Sequence, residues 1–143
     1  MGTVLLFSTL ATWGMIGLIW LIQVVHYPML AQYSEALPST AAADHATRIT
    51  PVVGPFMAVE GITALALMAS PPDGVSWILM WAAAALLGIA LLSTVVFSVP
   101  QHSRLAQGHS DEAAAALIRT NWYRTIAWTA RGLILGYAVT LLL

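Results

Sequence analysis

An all-α fold, an integral membrane four-helix bundle running up and down, is what this sequence predicts, on three observations. The chain is 59% hydrophobic and only 8% charged, against roughly a quarter charged in a soluble domain. Its mean hydropathy is +0.83. Its 143 residues contain four apolar stretches, each near the ~20 residues that a helix needs to cross a bilayer. A single transmembrane domain over 1–143 follows.

Span 1 covers about 4–25. It lacks the basic leader and the small-residue cleavage pattern of a secretory signal, and "QVVHYP" follows it, so it reads as a retained helix. Span 2 covers about 51–70, with Pro51 suited to a helix start. "SPPDGVS" (70–76) is a tight turn by its proline and glycine content. Span 3 covers about 77–99 and is expected to end at Pro100, and span 4 covers about 121–143. The connection over 37–50 reads as a short helix capped near Ser39 or Thr40. Ser110, followed by Asp111 and Glu112, reads as an N-cap with acids in the first turn.

Charge sets the expected orientation. Lysine is absent, and the basic residues are Arg48, Arg104, Arg119, Arg124 and Arg131. The side with the two termini and the Pro-Pro turn carries one charged side chain, Asp73, whereas the opposite side holds the loop and near-interface arginines and all four histidines. The richer side is expected to be cytoplasmic, giving a multi-pass protein of a bacterial inner membrane with both termini periplasmic. A net charge of -1 without a basic block excludes nucleic acid as a partner. The absence of cysteine excludes thiol redox chemistry, thiolate metal sites and disulfides. No G-x-S-x-G, glycine-rich phosphate loop or paired-aspartate motif is present.

Two charges are expected deep in the bilayer. Glu60 lies nine residues beyond Pro51 and Arg131 ten beyond Asn121, in spans entering from the same face, so both reach a similar depth. An ionised side chain there costs at least ~2.5 kcal/mol and needs an interior partner. A Glu60–Arg131 pair is the economical inference. Span 4 also carries Asn121, Arg124 or Thr125, and Trp128 at helical spacing with Arg131. Span 1 offers Trp20, Gln23 and Tyr27 with His26 adjacent; Ser98, Gln101 and His102 end span 3; His45 and Arg48 precede span 2. All point to a polar pocket in the cytoplasmic half of the bundle.

The blander readings are a structural ion pair for Glu60 and Arg131, and hydrated interface residues for His26 and His102. His109 reads as solvated in a Gly-Ser loop. Gly132 and Gly136 form a GxxxG pattern suited to close packing inside the bundle or to dimerisation.

Three chemistries remain open. His26, His45, Glu60 and His102 form a ligand set suited to a transition metal such as Fe, Cu or Zn, although no pair has the spacing of a helical metal motif. His26 and His102 could be axial ligands of a non-covalent haem. A metal-free pocket could hold a hydrophobic small molecule through Gln23, Tyr27, Arg48, Asn121, Arg124, Trp128 and Arg131, with His26, His45 or His102 in a catalytic proton-transfer role.

The stretches "HYP" (26–28), "H..RIT.VV.P" (45–55), Glu60, "VP.H..L..G" (99–108) and "RTNW.RT.AW..R" (119–131) resemble a family of small bacterial four-span membrane proteins. That pattern often has a histidine three residues before His45 and another ahead of span 4. Ala42 and the alanines at 113–116 stand there in this chain. A metal site completed by those histidines would lack two ligands here. More distantly, the Arg124-Thr125 pair and the span count resemble anthrone-oxygenase-like four-span proteins, which implies action on polycyclic aromatic substrates.

The expectation is a membrane-embedded oxidoreductase or oxygenase-like protein that binds a hydrophobic aromatic or quinone-like molecule, with or without a metal. The alternative is a non-catalytic accessory subunit or assembly factor, in a homo-oligomer or a larger membrane complex. A proton-coupled carrier is a third class, which four spans without a repeat could form only as a dimer.

Overall fold

Four long helical rods carry the chain in a computed structural model that describes residues 1–32, 40–108 and 110–143. The first rod is α1 (Gly2–Leu21), a π-helical turn over Ile22–His26, and α2 (Tyr27–Gln32). The second is α3 (Thr40–Ala69). The third is α4 (Trp77–Ser93), a π-helical turn over Thr94–Ser98, and α5 (Val99–Gln107). The fourth is α6 (Asp111–Thr140). The cap expected near Ser39, and His109, lie outside the described residues.

Consecutive rods run in opposite directions. Leu5, Leu67, Met80 and Leu135 meet at one end, so the start of α1 and α4 packs on the close of α3 and α6. Ile22, Tyr27 and Leu117 meet at the other end with Ile49 and Leu105. Between them Met15, Ile16, Ile19, Ala90, Ala127 and Trp128 form the middle of the core.

The surface is apolar where the interior is polar. Ile62, Leu65 and Ile78 are 70%, 69% and 78% exposed, while Glu60 and Arg131 are 0% and 1% exposed. In water that distribution would be unstable, because large contiguous apolar surfaces drive association. It fits contact with lipid. The segments Gly2–Gln32, Ala43–Ala69 and Trp77–Gln107 are long and apolar enough to cross a membrane. The fourth rod carries Asp111, Glu112, Arg119, Arg124 and Arg131, and is not among them.

Several expected boundaries are corrected. Helix α3 does not begin at Pro51: it begins at Thr40 and runs through Pro51 and Pro55. A proline leaves an unpaired carbonyl one turn back, which packing and local adjustments can accommodate in helices of this kind. Pro100 does not end the third rod either. The Val99 N–H donates to the Thr94 carbonyl five residues back, and the helix resumes. The first rod does the same: Tyr27 N–H donates to the Ile22 carbonyl just before Pro28. In each rod the wider turn lets the helix continue past a proline that has no N–H to give.

The turn and cap expectations fare better. The Ser110 hydroxyl accepts from the Ala113 N–H at 3.2 Å, with Asp111 and Glu112 in the first turn of α6. In the 70–76 connection Ser76 caps α4 by accepting from Ile78 N–H, and Gly74 has φ +83°, a conformation that favours glycine. Gly132 faces α1 so closely that an added Cβ would lie 2.3 Å from Ile16 Cδ1. One glycine of the GxxxG pattern is therefore used inside the chain, where its missing side chain lets α1 and α6 approach.

Candidate functional site

Two polar clusters lie along the interior face of α6, and they are built differently. The first surrounds Arg131. Its Nε donates to Thr12 Oγ1 (3.1 Å) and pairs with Glu60 Oε1 (3.3 Å), its NH1 donates to the Ala83 carbonyl (2.7 Å), and its NH2 donates to Ser8 Oγ (3.0 Å). Glu60 is held in turn: Thr12 donates to Oε1 (2.7 Å) and Trp128 Nε1 to Oε2 (3.1 Å). Each of the four rods contributes, through Ser8 and Thr12, Glu60, Ala83, and Trp128 with Arg131. Each Glu60 oxygen has a donor, so the buried pair is compensated as such a pair must be. The chemistry of this cluster is structural: it fixes the register of the four rods.

The second cluster lies about two turns along α6, between the rods' other ends. Arg124 donates through NH2 to Tyr27 Oη (3.2 Å) and, through a short hydrogen bond, to Asn121 Oδ1. Asn121 Nδ2 donates to Gln23 Oε1 (2.7 Å), and Gln23 Nε2 to the Ile118 carbonyl (3.3 Å). Tyr27 Oη is also 3.2 Å from His102 Nε2, and His26 Nε2 is 3.0 Å from His45 Nδ1, the donor in each case set by the tautomer. The His45 ring stacks on both others, with centroids 4.4 Å from His26 and 5.5 Å from His102. The two π-helical turns end immediately before Tyr27 and one turn before His102, and such turns gather at functional sites.

Beside this second cluster lies a cavity of about 340 Å³. Tyr27, His45, His102 and Arg124 line it together with the smaller polar residues Thr50, Thr94, Ser98 and Ser103, and Trp128 lies between it and the Glu60 cluster. Met15, Ile19, Ile49, Val53 and Met57 provide apolar wall. Sequence reasoning missed these last five, because an apolar residue in an apolar helix carries no signal of facing a cavity instead of a neighbour. It also missed Ser8 and Thr12, whose spacing of four in span 1 was the available sign.

The expected site residues therefore divide. Tyr27, His45, His102, Arg124 and Trp128 line the cavity. Gln23 and Asn121 are buried behind Arg124 and support it. His26 reaches the cavity only through His45. Arg48 is exposed and does not line it. Arg131, expected at the pocket floor, is enclosed in its own hydrogen bonds and does not line the cavity either. Trp128 does both jobs, with its ring on the cavity and its N–H on Glu60.

The expected metal and haem sites do not fit these residues. Glu60 is committed to Arg131, Thr12 and Trp128, not to the histidines. Among the described residues no three histidine or carboxylate side chains are arranged to hold a metal ion. His45 stacks on both His26 and His102, so each of the two expected axial histidines has its ring against a third histidine.

No family model, curated protein or solved structure matches this chain.

Proposed function

We propose that the chain is an up-down transmembrane four-helix bundle of a bacterial inner membrane that binds a hydrophobic aromatic or quinone-like molecule in this cavity. One observation carries the reading: a cavity with largely apolar walls is also lined by the charged Arg124 and by Tyr27, His45 and His102, which hydrogen-bond or stack with one another. Small-molecule sites have this composition and volumes from about 300 Å³ upward. A flat ring would lie against Trp128, and a ligand oxygen would accept hydrogen bonds from Arg124 and Tyr27. His102 would exchange a proton with that oxygen, and the His45–His26 pair would relay it toward the surface. Oxidoreductase or oxygenase chemistry on such a molecule is the proposed activity, in keeping with the resemblance to anthrone-oxygenase-like proteins. The arginine distribution supports a cytoplasmic cavity end and periplasmic termini.

The accessory-subunit reading has less behind it, since Gly132 packs against Ile16 of the same chain. The test is binding of a short-chain benzoquinone and of a polycyclic aromatic ketone to detergent-purified protein, read by tryptophan fluorescence. Saturable binding by wild type, lost on filling the cavity with Ala46→Phe, is expected. Equal signals from wild type and the filled variant would defeat the proposal, and a stoichiometric copurifying protein with an empty cavity would favour the subunit.

A further inference from the structure

Arg124 differs from Arg131 in what neutralises it. It is 7% exposed, and Glu60, the one acid buried among the described residues, belongs to Arg131. The hydrogen-bond partners of Arg124 are neutral, Tyr27 Oη and Asn121 Oδ1. Its Nε is buried without any partner. A guanidinium removed from water costs several kcal/mol unless a counter-charge and full hydrogen bonding offset it, and an unsatisfied buried donor adds to that cost. Arg124 also lines the cavity, hydrogen-bonded to Tyr27, which in turn meets His102.

Resting on the reading of this cavity as a ligand site, we infer that its occupant binds as an anion. The ligand is a lipophilic acid whose ionised oxygen head group meets Arg124, with its apolar body against Met15, Val53, Met57 and Trp128. A planar guanidinium fork matches the two oxygens of a carboxylate or phosphate, which supplies both the missing charge and the missing acceptor. Asn121 and Gln23 act as positioning residues: the Gln23–Asn121–Arg124 chain of hydrogen bonds holds the guanidinium from behind. The anion comes either from a free lipophilic acid or from a phospholipid phosphate, and the same chemistry recognises both.

The test compares anthracene-2-carboxylate with its methyl ester at pH 8 on the full chain in zwitterionic nanodiscs, read by probe fluorescence. The two probes share an aromatic body and differ in charge. The acid is expected to bind about 10-fold or more tightly than the ester, the scale of a charged hydrogen bond. Arg124→Gln should abolish the preference for the acid, weakening the acid far more than the ester, while Arg124→Lys keeps part of the preference. Equal binding of acid and ester by wild type overturns the anion assignment and leaves the cavity reading standing, whether or not Arg124→Gln folds. Binding of neither probe overturns both. Given a preference for the acid, displacement by phosphatidylglycerol assigns the anion to a lipid head group, and its failure to displace assigns it to a free acid.

Discussion

Arg131 and Arg124 are the same residue type, seven positions apart on one face of one helix, yet their surroundings are opposite. Around Arg131 each of the other three rods supplies a partner, the carboxylate of Glu60 is 3.3 Å away, and the residue does not line the cavity. Around Arg124 the partners are neutral, one nitrogen has none, and about 340 Å³ of space lies alongside. A buried charge closed on itself is a device for holding helices in register. On the proposal above, a buried charge left open beside a cavity holds something else. Burial and charge alone do not distinguish the two; the completeness of the hydrogen bonding does.

The comparison can be broken most forcefully at Glu60. Glu60→Leu leaves Arg131 buried and unpaired and should destabilise the fold by about 3–5 kcal/mol, read as a large fall in thermal unfolding temperature in detergent. The double variant Glu60→Leu/Arg131→Met should recover most of that loss, because apolar residues of similar volume replace a buried pair at little cost. If the double variant is as unstable as the single one, the cluster does more than hold the rods together.

Trp128 joins the two regions, so its substitution sharpens the contrast. Trp128→Phe removes the N–H that Glu60 Oε2 accepts and keeps an aromatic cavity wall. A loss of about 1–3 kcal/mol in stability is expected from the unsatisfied carboxylate oxygen, with quinone affinity changed by only a few-fold. A collapse of binding with intact stability would reverse the assignment.

Arg124→Gln should show the opposite balance. Removing an incompletely satisfied guanidinium is expected to alter stability by no more than about 1 kcal/mol, while ligand binding falls at least 10-fold. Equal destabilisation by Arg124→Gln and Glu60→Leu would mean that both clusters are structural. The smallest effect belongs to Arg48→Ala: the residue is exposed and away from the cavity, so stability should stay within about 0.5 kcal/mol and ligand affinity should not change.

How much was legible beforehand differs between these regions. The Glu60–Arg131 pair followed from depth counting, because two opposite charges in apolar helices have few other solutions. The gathering of Tyr27, His45, His102 and Arg124 followed only loosely from their common membrane face, since that argument equally placed Arg48 and Arg131 in the same pocket. The boundaries failed at two prolines: Pro51 and Pro100 both lie within continuing helices, where packing between rods outweighs a local rule derived from water-soluble chains.

By itself the sequence determined the helical class, three of the four segments expected to cross a membrane, the Ser110 cap and the pairing of the two deep charges. Each of those depends on composition, periodicity or the need to neutralise a charge in an apolar medium. Tertiary structure alone decided that Glu60 turns away from the histidines, that Trp128 stands between the clusters, and that Arg124 is left with an open side. Those outcomes depend on how four helices rotate against one another, through two π-helical turns and one glycine contact, and rotation leaves no trace in the spacing of residues along a single helix.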